Sequence, residues 1–308
     1  MMNPKVKGFT MGSIAAASYG LNPLFALPLY AAGYSVDNVL FYRYAFAIVL
    51  LGMMIKLRGL PIKVSRKDLP LLASFGLLFS ASSLFLFLSY NYMDAGIAST
   101  ILFLYPVMVA VIMMLFFHEK PSIITWLTLV MTFVGVCLLG KQSDGSNISL
   151  TGVVLVMLSS FSYALYIVGV NHTRLKDLDT ARLTFYALLF GILIYIVRLH
   201  FCADVVIPRE PLHWLCAICL ALFPTIISLV TMTISIHHIG STYAAILGAL
   251  EPITAVVVGV FVFHEKLTPR IFLGIVTILT AVTLLIAGKK IFYTLRNMIA
   301  LKRNETSK

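Results

Sequence analysis

The amino-acid sequence predicts an all-α polytopic membrane protein, with ten transmembrane helices arranged as two inverted five-helix repeats. Three observations carry the prediction. Of the 308 residues, 60% are hydrophobic and only 11% are charged, and the mean hydropathy is +0.98. A water-soluble domain carries roughly a quarter charged residues. Apolar runs of about 20 residues recur along the whole chain, each long enough to cross a bilayer core of roughly 30 Å as a helix. Finally, Phe116-Phe117-His118-Glu119-Lys120 returns as Val262-Phe263-His264-Glu265-Lys266, with a proline (Pro106 or Pro252) at the same distance upstream.

Backbone groups in lipid must be bonded within their own segment, and nothing here alternates as a membrane strand does, so the runs read as helices. In the first half the spans fall at about 9–31, 39–57, 69–90, 96–117 and 122–140. In the second they fall at about 150–171, 181–200, 213–236, 241–263 and 270–289. The first span follows Lys5 and Lys7, contains Pro23 and Pro28, and exceeds the roughly 7–15-residue core of a signal peptide, so it is expected to be retained. Residues 1–140 form the first repeat, 141–149 a polar linker, 150–289 the second repeat and 290–308 a basic tail. In the tail, Ile291, Phe292, Leu295, Met298 and Ile299 share one face, which suits the surface of an anionic leaflet.

A shift of 146 residues places Pro106 on Pro252 and His118-Glu119-Lys120 on His264-Glu265-Lys266, and a shift of 144 places Ser18-Tyr19 on Ser162-Tyr163. Five spans per half is an odd number, so the halves cross the membrane in opposite senses. That layout, with a site near the midplane between halves, is the one found in many secondary transporters. Lys5, Lys7, Lys56, Arg58, Lys63, Arg66, Lys67, Arg174, Lys176 and the basic tail share one side. The other has only Lys141, Arg198, Arg209, Lys266 and Arg270. Positively charged loops stay inside, so both termini are expected in the cytoplasm. The net charge of +11 is then a topology signal and no nucleic-acid footprint.

Several residues together resemble the EamA-like family of the drug/metabolite transporter superfamily. They are Tyr19-Gly20 and Tyr163-Ala164 in the first span of each half, Arg43 in the second span, the helices of Pro106 and Pro252, and the span ends at Glu119 and Glu265. The resemblance covers roughly residues 8–288. It implies ten helices, two inverted halves, a central cavity and alternating access, and names no substrate. Tyr19 and Tyr163 depart from it, since tryptophan often stands at these places in the family.

Glu251 is the sharpest candidate for chemistry. An acid near the middle of a span costs roughly 2.5–3.5 kcal/mol to insert, and its counterpart in the first half is Tyr105, so the repeat does not demand a carboxyl there. It suits a proton carrier or a partner for a cationic group; the competing reading is a hydrogen-bonded brace at a kink. Pro106 and Pro252 each remove a backbone donor, which leaves the carbonyls of Leu102 and Gly248 without their usual partners. Gly248 would let a ligand approach the backbone. Ser18 and Asn22 share a helix face, Ser162 and Tyr166 stand at the equivalent places of the second half with Ser159 on the same side, and Tyr105 and Tyr163 are expected at the same cavity. Two such stripes suit a cavity wall, although serine and asparagine also bond helix to helix in membranes. Gly8, Gly12, Ala16 and Gly20 form a face of small residues suited to close packing.

Arg43, a few residues inside its span, reads as a snorkelling side chain or an anion partner. The two Phe-His-Glu-Lys copies are expected to cap and anchor the ends of their own spans. Cys216 and Cys219 have redox-motif spacing inside an apolar run, where two small buried residues are the simpler reading. No cofactor or metal is expected. The chain lacks a second histidine four residues after His118 or His264, a Gly-x-Ser-x-Gly elbow and a phosphate loop. The expected activity is secondary transport in a bacterial inner membrane, as an exporter of small metabolites such as amino acids or related compounds, with proton coupling. A membrane-embedded enzyme and a specialised nucleotide-sugar or drug carrier are the alternatives.

Overall fold

The computed structural model describes residues 3–118, 121–139 and 148–305; at 241–242 and beyond 288 it describes the backbone alone. Glu119, Lys120, most of the polar linker and the side chains of the tail lie outside the described residues. The described chain is helical, with no strand. In the first half the helices are α1 (Pro4–Gly20), α2 (Asn22–Ala31), α3 (Val36–Leu57), α4 (Leu69–Ser89), α5 (Ala95–Leu102), α6 (Tyr105–Phe116) and α7 (Ile123–Leu138). In the second they are α8 (Leu150–Asn171), α9 (Thr180–Arg198), α10 (Pro211–Ala221), α11 (Ser228–Leu247), α12 (Leu250–Val262) and α13 (Pro269–Glu305). Among the described residues, eight helical stretches are long and apolar enough to cross a membrane. A further one, Ile123–Leu138, is apolar but shorter.

The first expected span is divided. Leu21 separates α1 from α2, and neither part alone reaches spanning length. Similar breaks fall at Phe103–Leu104, between α5 and α6, and at Gly248–Ala249, between α11 and α12. At the third break the expectation of an orphan carbonyl is corrected, because the Glu251 amide donates to the Gly248 carbonyl at 2.9 Å. One tight turn replaces the bond that Pro252 removes. The eighth span is longer than expected and holds a π-helical segment, Leu222–Ile227, around Pro224. A missing N–H is one recognised cause of such a widening.

The helices pack across the two halves of the sequence: α1 on α11, α3 on α9, α4 on α8, α5 on α12 and α7 on α13. Small residues set the closest approach. A methyl on Gly12 would lie 2.5 Å from Leu247 and 2.6 Å from the Ser235 hydroxyl, and one on Gly20 would collide with the Glu251 carbonyl oxygen. Since helices alternate in direction, one end of the bundle holds the start of α1, the loop 58–68 and the start of α9. There Arg182 donates to the Lys63 carbonyl at 2.7 Å and Arg174 pairs with Asp68 at 2.7 Å. The far end holds the turn at Gly33, the loop 199–210, Asp94 and the segment 263–268. There Asn38 donates to the Asp204 carbonyl at 3.2 Å, accepts from the Val206 amide at 2.8 Å, and lies beside the Arg198–Asp37 pair.

Backbone contact at Gly20 leaves no room for a side chain. Gly20→Val should lower thermal stability by about 1–3 kcal/mol, the usual cost of overpacking. Gly52→Ala, where the new methyl meets only the Phe185 ring at 3.5 Å, should be neutral or mildly stabilising. Thermal melting followed by size-exclusion recovery in detergent compares the two.

Candidate functional site

The three breaks meet around a cavity of about 310 Å³. Its aromatic wall comes from α1, α4, α6 and α8, as Tyr19, Phe79, Tyr105, Tyr163 and Tyr166. The rings brace one another. Tyr105 stands edge-on to Tyr163 with centroids 4.8 Å apart, and Phe79 lies 5.3 Å from Tyr166. Gly248 and Glu251 enter from the third break. Glu251 lies in the first turn of α12, where the exposed amides of a helix start favour an acid. Thr225 and Ser228 come from the π-helical segment and the start of α11, and Thr180 and Thr184 from the start of α9.

The cavity also contains a residue that sequence reasoning placed elsewhere. Arg43 is only 3% exposed. It does not snorkel to an interface; it lines the cavity from inside α3. Its Nε donates to the Thr225 hydroxyl at 3.4 Å, and its guanidinium sits 5.3 Å from the centroid of the Phe87 ring. Among the described residues no carboxylate lies within ion-pair distance of it. A guanidinium has five donors, so most of its capacity stays uncommitted to acids of the chain. Tyr19 interacts electrostatically with both Arg43 and Glu251. The position of Arg43 within an apolar run could have flagged it; nothing in the pattern marked Thr225.

The predicted serine and asparagine stripes are placed differently. Ser18, Asn22, Ser159 and Ser162 are buried but absent from the cavity lining. Ser159 donates to the Ser82 carbonyl at 2.7 Å and so ties α8 to α4. Asn22 is 2% exposed and donates to the Tyr19 carbonyl at 2.9 Å, bonding across the α1–α2 break. Both are the interhelical or local bonds that polar residues make in membranes. Pro106 and Pro252 sit in the first turns of α6 and α12 and shape the breaks. Tyr105, Tyr163, Tyr166, Gly248 and Glu251 all line the cavity.

With this geometry in view, comparison with known proteins is informative. The model of the EamA-like transporter family matches twice, over residues 6–141 and 150–287. The chain belongs to the EamA-like transporter family. An uncharacterized transporter of Synechocystis is 27% identical over 206 residues, which is 65% of this chain and 61% of that protein. An uncharacterized transporter of Archaeoglobus fulgidus is 28% identical over half of each chain. Another from Bacillus subtilis is 24% identical over 63% of this chain and 64% of its own. The matched region thus spans less than two thirds of each of these relatives. One solved crystal structure superposes with a TM-score of 0.64 at 15% identity, over 90% of this chain and 95% of its own; at that identity the likeness is one of fold. The protein is an integral membrane protein. Among its described residues no group of three His, Cys, Asp or Glu side chains is arranged to hold a metal.

A buried cation without an acid partner adds little to stability. Arg43→Met, which keeps the apolar stem and removes the charge, should leave the melting temperature unchanged or raised. A loss above about 2 kcal/mol, the scale of breaking a needed buried polar contact, would assign Arg43 to the scaffold.

Proposed function

We propose that this protein is a secondary transporter of ten membrane helices in two inverted repeats. It exports a small metabolite, such as an amino acid or related compound, by alternating access. The observation that carries the reading is the paired composition of the cavity wall. The shifts that align the sequence repeat bring Tyr19 to Tyr163, Phe79 to Thr225, Leu102 to Gly248 and Tyr105 to Glu251, and all eight residues line the one cavity. The reciprocal packing of helices and the twofold match of the family model support the same symmetry.

Within that wall Arg43 and Glu251 offer one basic and one acidic group, and neither forms an ion pair among the described residues. A small solute carrying both charges and an apolar body satisfies the guanidinium, the carboxyl and the tyrosines together. Arg43 is the one basic residue of the lining among the described residues, which suits a carboxylate better than the multiple charges of a nucleotide sugar. Among the described residues no histidine or cysteine lines the cavity, which favours a transporter over an embedded enzyme that works by a Ser–His or Cys–His pair. The distribution of lysine and arginine favours cytoplasmic termini. With that orientation the cavity, which reaches Thr180 at the start of α9, faces the cytoplasm. Glu251 is the proposed carrier of a coupled proton.

Counterflow in proteoliposomes tests the reading. Labelled amino acids should accumulate against an internal pool of the same compound, and Glu251→Gln should weaken that counterflow and abolish its response to an imposed pH gradient. Absence of counterflow across amino acids and related zwitterions would remove the substrate class. An unchanged response in Glu251→Gln would remove the proton role.

A further inference from the structure

The second Phe-His-Glu-Lys copy does something other than anchor its own span. After α12 ends, His264 takes a left-handed backbone (φ 58°) and turns the chain back, so that the Glu265 amide donates to the Gly259 carbonyl at 2.9 Å. His118 repeats that turn in the first half (φ 55°). The Glu265 side chain then reaches across the interface between halves. Its Oε1 accepts from the Ala95 amide, the first of α5, at 3.1 Å, and the Gly96 amide adds a second bond. Glycines make the slot: a methyl on Gly259 would collide with the carboxyl, and one on Gly96 would stand 3.4 Å from Oε2. The contact fastens α12 to α5 at the far end of the bundle, the end away from Thr180.

The charges around this carboxyl are few. From α5 the nearest is Asp94, an acid. From the same loop come His264 and Lys266, and Lys266 lines the slot without coming within ion-pair distance. From α13 the slot receives Ile271 and Ile275, while Arg270 is bonded to the Cys137 and Leu138 carbonyls of α7. A carboxyl withdrawn from water beside another acid, with no paired cation, is disfavoured as an anion. We propose that Glu265 is a proton-binding latch: it takes up a proton when this end of the transporter closes and releases one when it opens. The inference rests on alternating access as proposed above, but uses a group outside the cavity.

The sign follows from burial. Burial first, then Asp94, hold the Glu265 carboxyl up at about 7, against the amide bonds that lower it. Once exposed by opening, it would return toward 4.5. The closed form therefore binds the proton more tightly. Closure is favoured fully below about 4.5, and the advantage is lost as pH rises through about 7. Spin labels at Asn91→Cys and Leu267→Cys, with the four native cysteines replaced by serine, report the separation of this end in liposomes. The short distance should dominate near pH 5 and give way to a longer one, with a midpoint between about 4.5 and about 7. Glu265→Gln should keep the short distance at every pH, and Asp94→Asn should move the midpoint to lower pH. An unshifted midpoint in Asp94→Asn, or one distance at all pH values, overturns the latch. So does a titration in Glu265→Gln like that of the parent. Counterflow measured on the same samples separates the two readings. Active counterflow with an unchanged titration sinks the latch alone, and a titrating latch without counterflow sinks the transport reading alone.

Discussion

A helix that breaks inside a membrane must find shelter for the backbone it no longer bonds, and this need organises the centre of the transporter. Lipid offers no hydrogen bonds, so irregular backbone survives only against protein or a wet cavity. The breaks after Gly20, Leu102 and Leu247 are therefore gathered together. Gly20 lies against the Glu251 carbonyl, and Gly248 faces the Phe103 ring. Each break is covered by another, and the space that they cannot fill is the cavity. The small residues on α1 follow from this arrangement, because α1 must come close enough to α11 and α12 to cover the third break. Prolines at 106 and 252 give up donors at places where the regular ladder is already interrupted.

Much of this was legible in the sequence, because the strongest signals were periodic or duplicated. Long apolar runs gave the helices, and the duplicated motif gave the register that pairs Tyr105 with Glu251. Glycines at four-residue spacing gave the tight α1 face. What failed was the direction in which polar side chains point. Ser159 and Asn22 share helix faces with cavity residues, yet the Ser159 hydroxyl and the Asn22 amide N–H each donate to a backbone carbonyl within the protein, since an unpaired donor in lipid is costly. Position on a face says little about which of two buried neighbours a short polar side chain will choose. For Arg43 the sequence leaves snorkelling and partnering an anion both open. Its distance from a span end permits snorkelling, and only the three-dimensional placement of Phe87 and Thr225 holds it inward.

The π-helical turn at Pro224 illustrates a third kind of limit. Proline announces a disturbed helix, but a kink, a tight turn and a widened turn all satisfy the same missing donor. Here the turn is widened around Pro224 and Thr225, which are both buried. Its consequence is that Thr225 reaches both Arg43 and the cavity. The equivalent place in the first half is occupied by Phe79, so the two halves present a hydroxyl and a ring across the same space. Repeats related by duplication need only keep their helix geometry; the side chains facing the solute are free to diverge, and the wall becomes asymmetric in chemistry while staying symmetric in shape.

The same divergence distinguishes the two acids on α12 and the segment after it. Both sit at helix starts, where unpaired amides favour a carboxyl. Glu251, however, occupies the first turn of its own helix, so the relation between acid and amides is fixed by the chain and moves with α12 as one body. Glu265 sits on the first amides of α5, a helix of the other half. Its environment therefore depends on where α5 stands relative to α12, and separating those helices would replace amides and burial with water. Only an acid held across two bodies can have its proton affinity altered by their relative motion. An acid fixed within one body can change affinity only through its solute or the water that reaches it. The first half carries an equivalent glutamate, but its tyrosine at 105 means that the cavity acid has no such twin. In the proposed cycle, an acid held between two helices and distinct from the acid in the cavity would separate sensing of conformation from contact with the solute.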